Sequence, residues 1–304
     1  MAITNSLPKA QRLTSWERFS AARVISWLIL AGVATLFLVP VLWMLSTSLK
    51  SSADLANTSW IPQTLEWHNY QDAFSFGQWG RWTLNSLIIT IASTIGAVLS
   101  TALVGYSFGR LRWPGRDVLF GVVLATMMVP DVVVMIPRFI IFSRIPAYGF
   151  QGSEVWVNTF LPLIVPSWLG ATAFEIFLMR QFMRNIPTEL SEAAKIDGAS
   201  ELRIWCSIAL PLSRPVLATV AILKFQGSWQ DFMGPLLYLQ DESKYTLQLA
   251  LRQFEFAAGG SPAWNHLMAA SLVVIRWFHA GEPPAANSNC RSASCSVYLL
   301  SSCR

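Results

Sequence analysis

The residues able to do chemistry in this chain are sparse and scattered. Its three histidines, His68, His266 and His279, are far apart in sequence. Its four cysteines, Cys206, Cys290, Cys295 and Cys303, form no CxxC pair and no metal-ligand spacing. No paired carboxylates or nucleophile motif points to catalysis. The dipeptide Gly-Lys never occurs, so the phosphate-cradling loop GxxxxGK[ST] is missing and the chain has no means of its own to bind ATP. One segment does concentrate charge. "ELSEAAKIDGASELRIWCSIALP", residues 189–211, carries Glu189, Glu192, Lys195, Asp197, Glu201 and Arg203 within 15 residues. The chemistry open to such a segment is recognition of a partner surface.

Its fine pattern predicts a bent helical element. Pro187 suits a helix first turn, and Glu189 and Glu192 lie where the helix dipole favours acids. Leu190, Ala193 and Ala194 share one face by their i, i+3, i+4 spacing. Gly198 fits a left-handed stop, Ser200 can cap a second helix, and Pro211 ends it. In that second helix Leu202, Trp205, Ile208 and Ala209 fall on one side. The expectation is a helix, a glycine turn and a helix, with a small-residue face that another protein can approach closely. A solvated loop helix packed on its own bundle is the alternative.

The surroundings of this segment are apolar. Of the 304 residues 53% are hydrophobic and 13% charged, and mean hydropathy is +0.44. Soluble domains carry roughly 25% charged residues, so the balance is that of a polytopic membrane protein. Five runs reach the roughly 20 residues that a spanning helix needs: about 24–45, 84–109, 118–137, 155–179 and 215–240. A sixth begins at His266, but Leu267 to Ile275 is only nine residues before Arg276. The first run is too long for a signal-peptide core and lacks a small-residue cleavage site after it. Arginine and lysine collect in the N-terminal tail 1–23, in "RLRWPGRD" and in the 180–214 loop. By the positive-inside rule these are cytoplasmic, as is the N-terminus. The net charge of +5 follows from these loops; no basic run with interleaved aromatics suggests nucleic acid.

Glu192-Ala193-Ala194, three residues, Gly198, nine residues, Ile208, one residue and Leu210-Pro211 resemble the EAA loop of ABC importer permeases. "RLRWPGR", "GSWQDFMGPLLYL" and "WNHLMAAS" extend the resemblance over about residues 24–275, toward the maltose-type carbohydrate permeases. The resemblance implies an all-α bundle of six spans in a prokaryotic plasma membrane. It implies that Glu192, Ala193, Ala194 and Gly198 dock on a cytoplasmic ATP-binding cassette subunit, with Leu210 and Pro211 as structural ends of the motif. It also implies a sister permease and an extracytoplasmic solute-binding protein as partners. The chain itself would hold no cofactor, ATP being bound by the partner subunit. Family solutes are mostly mono- and oligosaccharides, with glycerol-phosphate compounds as a minority.

Polar groups inside spans are candidates for the solute path. Asp131 lies about 14 residues past the inner end of its span, about 21 Å into a core of about 30 Å if the helix is straight. Lys224 falls near mid-membrane, and Trp229, Gln230 and Asp231 lie further out. Trp229 could stack on a sugar ring and Gln230 and Asp231 could bind its hydroxyls; equally, the stretch could shape the helix, and Lys224 could pair with Glu175. As the rival class, an ion-coupled secondary transporter would be expected to show coupling carboxylates within its spans, often with an inverted repeat. No repeat is visible. Beyond residue 275 the composition changes abruptly: the last 28 residues hold three of the four cysteines and a Pro283-Pro284 pair. Residues 276–304 read as the product of a reading-frame shift near 274–276, the alternative being a genuine, divergent tail.

Overall fold

The computed structural model describes residues 21–280, apart from 52, 57–58, 76, 171 and 258–263. It is helical, and among the described residues the sole β pairing is one isolated bridge, Pro146 to Val155. Three stretches are long and apolar enough to cross a membrane, Ile25–Ser48, Trp79–Arg110 and Leu161–Asn185, and two bent helix pairs bring the total to five.

Helix α1 (Ala21–Ser48) ends in a loop, and a short helix α2 (His68–Ser75) leads into α3 (Trp79–Arg110). At 32 residues α3 is about 48 Å long, so it crosses the bilayer and projects beyond it. It is the axis of the fold. The helices packed most extensively on it are α6 (Leu161–Leu169), α7 (Ala173–Asn185) and α11 (Arg214–Trp229). Between its aromatic ends (Trp79, Trp82, Tyr106 and Phe108) its buried face is mostly small and polar: Ser86, Thr90, Ser93, Gly96, Ala97, Thr101, Ala102 and Gly105. Lipid removes the hydrophobic drive between helices, so close backbone approach and interhelical hydrogen bonds replace it. The Ser93 hydroxyl donates to the Leu163 carbonyl at 3.0 Å, and Trp168 Nε1 donates to that of Ala92 at 3.1 Å.

Two expected spans are not straight. The 118–137 run is α4 (Arg116–Thr126) and α5 (Asp131–Phe142), bent by 101°. The amides of Met127, Met128 and Val129 bond three residues back, tightening the chain, and Pro130 then starts a new helix. The 215–240 run stops at Trp229 and resumes as α12 (Met233–Tyr238). The expected 155–179 span is displaced along the chain to Leu161–Asn185, where Gly170 closes α6 and a Thr172–Glu175 capping box opens α7. Helix α13 (Leu247–Ala257) precedes α14 (Trp264–Ala280), which runs past Arg276 and is 17 residues long, or about 25 Å. The tail 281–304 lies outside the described residues.

At the Trp79 end of α3, connecting loops meet. Trp82 Nε1 donates to the Glu242 carbonyl at 2.9 Å, and Asn85 Nδ2 reaches the carbonyls of Ser243 and Tyr245, each at 3.0 Å. Beside them buried Asn265 donates to the Lys50 carbonyl at 3.1 Å, and buried Asn69 to those of Ser48 and Lys50, each at 3.0 Å, tying α1, α2 and α14 together. The charged segment lies at the other end of α3.

Candidate functional site: a charged elbow on the central helix

The 189–211 segment folds as an elbow. Helix α8 (Thr188–Ile196) follows Pro187, which sits just before the first helical residue rather than within the first turn. Gly198 takes φ +80°, with nothing within 4 Å of where a Cβ would be. The Ala199 amide reaches back to the Ala194 carbonyl at 2.9 Å, and that of Gly198 to Lys195 at 3.0 Å, satisfying carbonyls that α8 leaves open. The Ser200 hydroxyl then accepts from the Arg203 amide at 3.4 Å and caps α9 (Glu201–Ile204). A Lys195–Glu201 ion pair of 2.5 Å bridges the turn.

The second arm departs from regular helix. Trp205–Ala209 is a π turn, with the Leu210 amide bonding to the Trp205 carbonyl five residues back. Pro211 is the physical cause: it has no N–H for the Ser207 carbonyl, and its ring crowds that oxygen. The extra residue rotates the face. Ile204 and Ala209 are buried and Trp205 is half-buried, while Leu202, expected on the same side, is exposed. Helix α10 (Leu210–Leu212) and buried Ser213 then turn the chain by 76° into α11.

The outer face of α8 is open. None of its residues is buried. Ile196 is 86% exposed and Leu190 44%. Glu192 is exposed and has no hydrogen-bond or ion-pair partner among the described residues. The inner side is fixed to α3 by groups that sequence reasoning passed over. Arg110, the last residue of α3, donates from Nη1 to the Ile186 carbonyl at 2.6 Å. Its Nη2 reaches the Pro187 carbonyl at 3.0 Å and Ser191 Oγ at 2.7 Å. The Tyr106 hydroxyl donates to Glu201 Oε2 at 2.9 Å, and Trp205 Nε1 to the Ala102 carbonyl at 3.3 Å. Gly105 and Gly109 let α7 close in: a Cβ at either would lie 2.4 Å and 2.7 Å from the side chains of Met179 and Met183 respectively. The Gly-xxx-Gly spacing, common where membrane helices touch, was the signal available in the sequence.

The remaining candidates lie apart from the elbow. Asp131 is exposed in the first turn of α5, at the bend, so the depth counted along a straight helix does not apply. Lys224 on α11 is partly buried and within electrostatic range of Asp231. It forms no ion pair with Glu175, whose carboxylate instead accepts the Thr172 amide at 3.0 Å. Trp229 stacks on Phe225 at 6.0 Å between centroids, and Gln230 closes α11. Asp231 Oδ1 accepts the Gly234 amide at 3.1 Å, which shapes the start of α12. These last four group at the α11–α12 break; no hydrogen bond or ion pair joins Asp131 to them among the described residues.

Residues 101–278, which hold the elbow and most of its α3 anchor, match the family of binding-protein-dependent transport system inner membrane components. The chain belongs to this family. It is a permease subunit of an ABC importer. The AraQ arabinooligosaccharides transport system permease protein of Halalkalibacterium halodurans is 30% identical over 83% of this chain and 88% of that protein. NgcG, the diacetylchitobiose uptake permease of Streptomyces coelicolor, is 29% identical over 86% of this chain and 83% of its own. UgpE, the sn-glycerol-3-phosphate permease of Pectobacterium atrosepticum, is also 29% identical, over 84% and 92%. A chain of a bacterial ABC transporter that imports the acidic polysaccharide alginate shares the fold, with a TM-score of 0.64 at 20% identity, covering 86% of this permease and 95% of that chain.

Proposed function

We propose that this permease moves a sugar or oligosaccharide across the plasma membrane by alternating access, without chemistry of its own, and takes its energy through α8. The observation that carries this is the open α8 face: a carboxylate without a partner among the described residues, Glu192, beside exposed Leu190 and Ile196, on an elbow anchored from behind. Such a face fits a cleft on an ATP-binding cassette subunit, where Ala193 and Ala194 permit close approach. The N-terminus then lies in the cytoplasm with the elbow, and the loops at the Trp79 end of α3 face the solute-binding protein. Gly198, Leu210 and Pro211 set the elbow's angle. Pull-down of the cognate ATPase subunit from membranes tests the reading. The native chain retains it and Glu192→Arg loses it; retention by the mutant would refute the role of α8.

For the solute, Trp229, Gln230, Asp231 and Lys224 at the helix break offer an aromatic face with hydrogen-bonding groups, and Asp131 marks the second break. Lys224 and Asp231 bring opposite charges to one helix break, which favours a neutral sugar over a phosphorylated one. Lys224→Gln should therefore leave Asp231 unbalanced and weaken uptake of an anionic probe, glycerol 3-phosphate, more than that of maltose. Equal effects on both would remove Lys224 from the path.

A further inference from the structure

The back of the elbow has a construction that docking alone does not require. A guanidinium at the very end of the central helix spends its fork on the chain around the start of α8, with two bonds to the Ile186–Pro187 link and one to Ser191 in its first turn. Bonds from an ionised fork are short, directional and stronger than neutral ones. A second, independent strut joins the other arm: Tyr106 holds Glu201, Glu201 holds Lys195, and Lys195 belongs to α8. Tyr106 and Arg110 are four residues apart, one helical turn, so both struts leave the same face of α3. Gly105 and Gly109, each just before one of these residues, press that turn against α7 so closely that side chains there would collide.

We infer that Arg110 and Tyr106 are positioning residues that fuse α8 to the end of α3, making the elbow and the longest helix a single lever. Force delivered at α8 then moves α3 directly, and the α6, α7 and α11 contacts distribute it along the path. The flexible alternative is an elbow that swings on the Ile186–Pro187 link while α3 stays still. The inference rests on α8 being the docking helix only for the source of the force; the clamp itself is a property of this chain.

The test uses the assembled transporter in lipid nanodiscs, with nitroxides on cysteines at Thr188 of α8 and Leu103 of α3, both exposed, in a cysteine-free background. Pulsed electron resonance reads the distance between them without nucleotide and with ATP plus vanadate. The lever predicts one narrow distance in both states. Arg110→Gln should lose the single narrow distance on ATP binding, Arg110→Lys, a point donor without the fork, should recover it in part, and Tyr106→Phe should broaden it less than Arg110→Gln. A native distance that changes between states, or an Arg110→Gln distance identical to the native, overturns the lever. Monodisperse elution of each labelled complex separates these results from misfolding. Measuring the permease without its ATPase subunits separates the two readings. A narrow distance there, lost in Arg110→Gln, upholds the clamp even if Glu192→Arg still binds the ATPase.

Discussion

Gly198 decides the angle between the two arms of the elbow. At φ +80° an L side chain is strained whatever the space around it, and the space here is empty. Gly198→Ala should therefore cost about 1–2 kcal/mol through backbone strain alone. That is at least about fivefold in any equilibrium that needs the elbow formed. The measurement is the affinity of the purified permease for its ATPase subunit, and Gly198→Asn should lose less, since Asn tolerates the left-handed region. Gly198 and Ser200 were legible in the sequence because a stop and a cap depend on neighbours. Arg110 was not: its carbonyl partner at Ile186 is 76 residues away, and no local pattern predicts which backbone a guanidinium will reach. In sequence it counted only as one arginine among three in its loop.

Among the elements, hydropathy located the apolar stretches, because apolar length is a direct requirement of the bilayer, but misplaced the ends of 155–179 and 215–240. It did not show the 101° and 76° bends. An average over a window is blind to where the hydrogen-bond ladder fails, and Pro130, Pro211 and the Gln230–Phe232 turn are each a single-residue matter. The GSWQDF stretch illustrates this. It read as one continuous span, yet Asp231 turns back to cap the next helix. The loops beyond the bundle are held by a smaller device. Asn158, at φ +64°, accepts the Gln240 and Asp241 amides at 3.1 Å each and donates to Asp241 Oδ2 at 2.7 Å; Lys244 adds a 3.0 Å ion pair. The Asn158 hydrogen bond, then Lys244, holds the Asp241 carboxyl below its ordinary range. A depressed carboxylate pKa lends stability that is present above the unfolded value, about 3.9, and is lost as pH falls through the folded one. Amide protection factors at Gln240 and Asp241, read by exchange mass spectrometry, should stay level from about pH 7 to 5 and drop only below about pH 4. Lys244→Gln, which leaves the Asn158 acceptor of both amides in place, should move that drop upward; a drop already complete near pH 6 would assign it to another group.

At the scale of the molecule, packing is uneven. Helix α3 is enclosed on three sides, whereas α1 presents Trp27, Leu36 and Phe37 outward, each more than half exposed. Its main neighbour is α14, joined through the buried Asn265 and Lys50 contacts. We expect a one-base frame shift near codons 274–276 of the gene to restore an apolar continuation of α14 in place of the 276–304 composition. Nucleotide sequencing checks it, and a shifted frame that stays polar would mean the tail is native. The neighbourhood of α1 and α14 gives that question a reach beyond the last helix. The first and last of the described helices share one seat, so they share one fate. An early-synthesised helix waits in the membrane with its apolar flanks uncovered until the final segment emerges. A defect written at the end of the gene would then be felt as a loose beginning, visible to quality-control proteases at the opposite terminus from the lesion.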